Sequence, residues 1–379
     1  MELPSEQRWR AWAEIDLEAL RHNVAVAKSL APTSEILAVV KADAYGHGLE
    51  EVCRALCGEV SYLGVAALQE AVTIAETLGN DAPNILLLGT SLAEEMTVAI
   101  ERGWHFSLSS SQELEMAATI AGQLGKVAQI HVAVDTGMGR IGALEVNFQA
   151  LCEEARNQSA VCAQGLVTHL PSADEDHDFT EKQLSQFAAL VERAQTLWKP
   201  NHAPQLHVLN SAGVCRFGKC KCSALIRPGL MLYGVAPETQ FQNQLKPVMT
   251  LKTRVRLVRD LPQGRGISYG RTFITSAPTR VATLGIGYGD GYPRSLSGQG
   301  AHVLIQGVRC ALLGRVTMDQ IMVDVSQLPD PVEPGEEVVV YGCQGDEEIS
   351  VAEIADKAGT IPWEILTSVT KRVPRAAIR

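Results

Sequence analysis

Nowhere in the 379 residues does an apolar run reach the roughly 18 residues that a membrane-spanning helix needs, so no membrane partner is expected. Positive charge is scarce as well: 33 Lys and Arg face 43 Asp and Glu, for a net charge of −10. Binding a phosphate backbone needs a concentrated positive surface, which argues against a nucleic-acid partner. The opening residues Met1–Trp12 are polar and lack the apolar stretch of a secretory leader. The nine cysteines (53, 57, 152, 162, 215, 220, 222, 310 and 343) are odd in number and scattered. They read as reduced thiols of a cytoplasmic protein, not as a disulfide framework. Cys220-Lys221-Cys222 is too tightly spaced for structural zinc and has no matching second pair, so no metal is expected. Long repeats and low-complexity tracts are missing too. What remains is ordinary globular composition, 46% hydrophobic and 20% charged, at a length that suggests two domains.

From about residue 15 to about 245, short apolar runs alternate with longer amphipathic stretches. The runs are Ile36–Val40, Tyr62–Ala66, Ile85–Leu88, Phe106–Leu108, Gln129–Val134, Gly165–Val167, Leu206–Leu209 and Ala224–Ile226. Each is bounded by polar or Gly/Pro signals and reads as a strand. The intervening stretches read as helices, such as Ser111–Ala121, which Ser110 or Ser111 can cap. Alternating strands and helices imply parallel pairing, and eight units fit a (β/α)8 barrel, with a doubly wound open sheet as the alternative. After about Pro247 the pattern changes. Lys252–Val258, Val303–Ile305, Ile321–Val325 and Val338–Tyr341 alternate in polarity and are separated by Gly/Pro turns. This reads as a mostly antiparallel β domain of about 130 residues. The expected domains are therefore residues 15–245 and 246–379, with residues 1–14 packing against the second.

In a barrel of this kind, catalytic residues gather where strands end. A lysine after a strand is usually solvated and a Gly-rich turn is usually only a turn. Here, however, five of the eight strand ends carry such groups: Lys41 to Gly48, Asp135 to Arg140, Thr168-His169-Leu170, Asn210 to Gly213 and Arg227 to Leu230. Lys41 follows a wholly apolar strand, so partial burial would lower its pKa and free a nucleophilic amine for Schiff-base chemistry. The loops after the seventh and eighth strands are where barrels hold phosphate, and Ser211, Gly229 and Leu230 lie there. These features alone would equally suit a Schiff-base aldolase.

The run Val39-Val40-Lys41-Ala42-Asp43-Ala44-Tyr45-Gly46-His47-Gly48 closely resembles the pyridoxal 5′-phosphate (PLP) attachment signature of alanine racemases. The resemblance covers nearly the whole chain. It takes in Ala13–Leu17, Leu20–Asn23, Asp135–Gly142, Ile226–Gly234, Ile267–Gly270, Gly285–Arg294, Gly314–Asp319 and Arg372–Arg375. It implies a PLP-binding barrel followed by a β domain, in a head-to-tail homodimer with shared active sites, supplying D-alanine for peptidoglycan. By that resemblance Lys41 carries the cofactor, and Lys41 and the partner subunit's Tyr269 are the two acid/base groups on opposite faces of the substrate. Tyr288, Met318 and Asp319 would likewise serve the partner's cofactor.

Free tyrosine is a poor base at neutral pH and needs nearby positive charge or hydrogen bonds, which the resemblance assigns to His169 and Arg227. Arg227 matches the position that faces the pyridine nitrogen. A guanidinium keeps its proton, so the ring nitrogen should stay unprotonated and the ring a weaker electron sink, limiting transamination. Tyr45, Ser211, Gly229 and Leu230 match phosphate contacts, while Arg140 and the Met318 backbone match the clamp on the substrate carboxylate. Two positions depart from the pattern. Many members carry a carbamylated lysine where this chain has Ala133, so Arg140 must be held otherwise, for instance by chloride. Lys371 stands where some members have a tyrosine near the phosphate, and its role is open. Competing readings are a PLP racemase for another amino acid such as serine, a non-catalytic PLP-binding protein and a PLP decarboxylase. The β domain with Tyr269 and Met318 argues against the carrier, and the arginine at the pyridine position against the decarboxylase.

Overall fold

Helices that follow strands force neighbouring strands to run parallel, and the computed structural model shows that consequence throughout the first two-thirds of the chain. The structure describes residues 9–195, 198, 204–220 and 223–378. It divides into two units: one gathers the residues up to Ala19, Tyr45–Gly48 and the chain from Pro247, and the other contains Leu20–Ala44 and Leu49–Lys246.

The first described element is β1 (Ala11–Asp16), after which Asp16 Oδ1 accepts the Ala19 N–H at 2.8 Å and starts the helix Leu17–Leu30. The eight parallel strands are β2 (Glu35–Val39), β3 (Tyr62–Val65), β4 (Asn84–Leu87), β5 (His105–Leu108), β6 (Ala128–Ala133), β7 (Val161–Val167), β8 (Gln205–His207) and β9 (Leu225–Ile226). Their order is β8-β7-β6-β5-β4-β3-β2-β9, so every neighbour is sequential except where β9 returns to β2. A doubly wound sheet would reverse its strand order part-way, so the barrel is the correct one of the two expected architectures. Between β8 and β9 a single bridge, Asn210 with Arg227, continues the circuit, and the Arg227 N–H donates to the Leu209 carbonyl at 2.8 Å.

Each expected apolar run overlaps one strand. β7 begins at Val161, earlier than expected, because exposed Cys162 and half-buried Gln164 interrupt its apolar signal. Leu37, Leu63, Leu86, Phe106, Ile130 and Leu166 are all fully buried; Leu37 and Leu86 lie on the inner face with Tyr62 and His105, while Leu63, Phe106, Ile130 and Leu166 point the other way, toward the helical layer. Ser110, one of the two expected caps, accepts the Glu113 N–H at 3.2 Å and starts the helix Ser111–Leu124.

The other unit is built on β1 together with β10 (Met249–Leu261), β13 (Thr279–Leu284), β14 (His302–Ile305), β15 (Val308–Ala311), β16 (Ile321–Asp324), β17 (Glu337–Gln344), β18 (Glu347–Ile349) and β19 (Arg375–Ile378). β11 (Gly266–Ile267) and β12 (Phe273–Ile274) form a separate hairpin. All pairings here are antiparallel except that of β1 with β19. Thirteen-residue β10 is the spine, pairing with β1, β13 and β17. Seven cysteines are free thiols among the described residues, but Cys220 is disulfide-bonded, which departs from the expectation of reduced thiols throughout. Lys221 and Cys222 of the doubted zinc pair lie outside the described residues. Among the described residues no cluster of His, Cys, Asp and Glu could hold a metal, and no helix is long and apolar enough to cross a membrane.

Candidate active site

After β2 the chain makes a turn that L-residues rarely adopt. Ala42, Asp43, Ala44 and Tyr45 all lie in the left-handed region, with φ of 55°, 55°, 52° and 55°. A left-handed turn costs roughly 1–2 kcal/mol per non-glycine residue, so other bonds must hold it. Glu70, on the helix Leu68–Leu78, supplies the main one. Its Oε1 accepts the Ala42 N–H at 2.6 Å, while Oε2 accepts those of Ala66 and Ala67 at 2.9 and 3.1 Å. Asp43 Oδ1 accepts the Leu49 N–H at 2.8 Å and closes the far side. The sequence reading missed Glu70, and nothing in its exposed-helix context distinguishes it from a solvated carboxylate.

Lys41 leads into this turn. Burial lowers its pKa from the ordinary lysine value, the nearby positive charge of Arg140 lowers it further, and Glu70 partly opposes both. Arg140 belongs to the loop after β6, which Asp135 shapes. Asp135 Oδ1 accepts the N–H groups of Gly137, Met138 and Gly139 at 2.8, 2.9 and 3.1 Å. Burial works against the Asp135 charge, but the bonds from Gly137, Gly139 and Met138 outweigh it and hold the carboxyl below its usual range. The Val134–Ala143 bridge ties the two ends of the loop together. The Arg140 guanidinium itself is exposed and has no hydrogen bond or ion pair to another described residue. Ala133, the last residue of β6, is buried and offers only a methyl group.

Arg227, after β9, is fully enclosed. Its Nη1 donates to the His207 carbonyl at 2.5 Å and lies 3.2 Å from His207 Nδ1. Its Nη2 donates to the Thr168 carbonyl at 2.8 Å and lies 3.2 Å from His169 Nδ1. Burial, followed by the Arg140 charge, brings its pKa down to about 10, so the group stays cationic at neutral pH. No carboxylate among the described residues pairs with it. Burial and then the charges of Arg227, Arg140 and Lys41 push His169 down to about 3, so its imidazole is neutral and accepts from the guanidinium. Beside them the Ser211 hydroxyl accepts the N–H groups of Gly229 and Met231 at 2.9 and 3.4 Å, and Leu230 starts the 3-10 turn Leu230–Tyr233. Ser211 follows Asn210, whose side chain accepts the Gly213 N–H at 3.0 Å. Lys41, Arg140, His169, Ser211, Arg227, Gly229 and Leu230 thus share the barrel unit.

Tyr45 is buried, and burial pushes its hydroxyl up to about 12. In the sheet unit Tyr269 tops the β11–β12 hairpin and is 72% exposed, between Ser268 and Arg271, which both have positive φ. Met318 and Tyr288 are also exposed. The structure brings Tyr288, Met318 and Asp319 together. The Tyr288 N–H donates to the Thr317 carbonyl at 3.0 Å, and the Gly289 N–H donates to the Met318 carbonyl at 2.8 Å. Arg10 and Arg372 brace the same pair of loops through Asp290 and Asp319, at 2.5 Å for Arg10–Asp290 and 2.6 Å for Arg372–Asp319. The hydrogen bond from Arg372 is the main cause that holds the Asp319 carboxyl below its usual range. Lys371 is exposed and without a described partner.

A lysine with a lowered pKa, a buried arginine that no carboxylate among the described residues pairs with, and a hydroxyl that gathers backbone N–H groups suit a barrel enzyme that forms a Schiff base with an anionic carbonyl compound. Comparison with known proteins makes this specific. Residues 15–237 match the sequence profile "Alanine racemase, N-terminal domain", and residues 248–377 match "Alanine racemase, C-terminal domain". The alanine racemase of Carboxydothermus hydrogenoformans is 40% identical over 373 residues, covering 96% of this chain and 98% of the relative. That of Halothermothrix orenii is 39% identical, with 96% of each chain covered. The solved alanine racemase from D-cycloserine-producing Streptomyces lavendulae superposes with a TM-score of 0.91 at 33% identity, covering 100% of this chain and 98% of that one. The chain belongs to the alanine racemase family, whose members depend on PLP.

Proposed function

We propose how this chain interconverts L- and D-alanine. The barrel, residues 15–245, is the cofactor domain, and residues 246–379 with 1–14 form the domain that completes a partner's site. The observation that carries the reading is Arg227, a buried cation that no carboxylate among the described residues neutralises, in one unit with the deprotonation-prone Lys41. These residues fit PLP. Lys41 would hold it covalently, Arg227 would face the ring nitrogen as a donor that does not release its proton, and Ser211, Tyr45 and the N–H groups of Gly229 and Leu230 would take the phosphate. When bound, PLP supplies the electron sink for charge developing at the substrate Cα. Lys41 then moves a proton on one face, and Tyr269 of the partner subunit moves one on the other. His169, fixed by Arg227, supports that tyrosine. Arg140 and the N–H of Met318 of the partner subunit bind the carboxylate, while Tyr288 and Asp319 shape the loop that carries it.

A homodimer accounts for the exposure of Tyr269, Tyr288 and Met318 on a unit that holds no lysine of this kind. The setting is cytoplasmic, and the product D-alanine serves peptidoglycan. Turnover of D-alanine, D-serine and D-lysine by the purified protein tests the substrate. Preference for D-serine or D-lysine would replace the alanine reading by the broader one, and cofactor binding without any turnover would favour a carrier.

Two further expectations concern single groups. With Ala133 in place of a charged residue, a chloride ion beside Arg140 would neutralise and steady its guanidinium. Replacing chloride by a large non-coordinating anion should raise KM for alanine about two- to fivefold, the equivalent of a partly exposed ion pair's ~0.5–1 kcal/mol, with kcat little changed. Unchanged KM would remove chloride from the account. The second is Arg227→Glu, which should let the ring nitrogen hold a proton and increase transamination relative to racemisation at least about tenfold. Pyruvate formed per racemisation event measures it, and an unchanged ratio would refute the role given to Arg227.

A further inference from the structure

Three histidines that the proposed reaction does not use stand in single file inside the barrel. His105 lies on β5, His131 on β6 and His207 on β8, and all are buried. His105 Nδ1 is 2.9 Å from His131 Nε2, and His131 Nδ1 is 2.8 Å from His207 Nε2. At the end of the file, His207 Nδ1 is 3.2 Å from Arg227 Nη1. Tyr62 packs edge-on against His105 and His131, with centroids 5.3 and 6.1 Å apart.

β7 runs between β6 and β8, so the second of these contacts must cross a strand. It can do so because residue 165 of β7 is a glycine: a Cβ there would lie 2.2 Å from His131 Nδ1 and 2.8 Å from His207 Nε2. Gly165 has no positive φ, so space, not backbone freedom, explains its place.

The guanidinium settles where every proton in the file sits. Arginine only donates, so His207 Nδ1 must accept. A neutral imidazole has one N–H, which is therefore on His207 Nε2 and donates to His131 Nδ1. By the same step His131 donates from Nε2 to His105 Nδ1. Burial disfavours protonation of each ring, and neighbouring charges add to it at His131 and His207, taking His105 down to about 4 and His131 and His207 well below the ordinary histidine value. The file is thus neutral, with its N–H bonds all pointing away from Arg227.

We propose that His105, His131 and His207, with Gly165 making room for them, form one proton-ordered column whose acceptor end aims Arg227. His105 and His131 are then positioning residues, although neither lies beside the cofactor seat. The role rests on the assignment of Arg227 to the cofactor ring, and the column polarises along its length because each bond strengthens the next. Three apolar side chains would fill the same space without the cost of burying imidazoles, so packing alone does not require them.

The test begins with 15N-histidine NMR of the unsubstituted protein, with and without PLP, each resonance assigned by a single His→Gln substitution. All three rings should be neutral and protonated at Nε2 at neutral pH, and one ring protonated at Nδ1 or at both nitrogens would overturn the column. Gly165→Ala should wedge the file apart, weakening PLP affinity about tenfold, as loss of an outer partner does in metal sites, and displacing the absorption band of the bound cofactor. His131→Gln serves if the alanine variant does not fold, and His105→Phe, which keeps a ring but ends the file early, should give a smaller effect of the same sign. If these variants leave affinity and band unchanged while Arg227→Lys alters them, the column has no positioning role and the Arg227 assignment stands. If Arg227→Lys is also silent, the assignment itself fails.

Discussion

Lys41→Ala should abolish racemisation, by about 10⁴-fold or more, because on the proposed reading it removes both the covalent anchor and one of the two proton carriers. Borohydride reduction with PLP, followed by mass spectrometry, should trap a cofactor adduct on the unsubstituted chain and none on the variant. The pH dependence of trapping carries its own sign. A lysine whose pKa is lowered by burial and by Arg140 loses its proton at a lower pH than a free one. The midpoint for adduct formation should therefore fall below the ordinary value of 10.5. A midpoint at or above that value, or an adduct at another lysine, would remove Lys41 from its role.

Tyr269→Phe should produce a different loss, confined to one face of the substrate. Exchange of the α-proton with deuterated solvent should fall about 10²- to 10⁴-fold from one enantiomer and remain from the other, because Lys41 still serves its own face. Net racemisation should fall to the level of the slower direction. Equal loss of exchange from both enantiomers would mean that the tyrosine acts through general structure, and equal retention would mean that it is not a base. The hydroxyl is fully available for this comparison, since Tyr269 is 72% exposed in the single chain and the substitution removes no internal hydrogen bond of the described residues.

The barrel was legible because its strands are short, apolar and regularly spaced, and because parallel strands buried on both faces write their interior into unbroken apolar runs. Lys41 and Arg227 stand out in the sequence for a related reason: each follows such a run directly, where barrel chemistry gathers, while Arg140 lies at the end of the loop that follows one. Glu70 was not legible, because its three backbone partners become neighbours only after the left-handed turn has formed. The histidine file left a fainter trace. Each ring is a polar residue flanked on both sides by apolar ones, in Trp104-His105-Phe106, Ile130-His131-Val132 and Leu206-His207-Val208. Periodicity alone places each of them inward or outward, but only the barrel's closure puts them end to end. Residues whose role depends on pairing across strands stay hidden in a linear reading, whereas residues at strand ends do not.

β8 and β9 meet through one bridge, whereas their neighbours are laddered over several residues. The groups assigned to the phosphate come from both sides of that junction: Ser211 follows β8, and Gly229 and Leu230 follow β9. A dianion held by both sides would act as a clasp on the weakest stave of the barrel. Without it, the last strand is fastened mainly by its bonds to β2, and its amides should be the first of the barrel to exchange with solvent. On the proposed reading, loading the cofactor would tighten the cylinder at this junction.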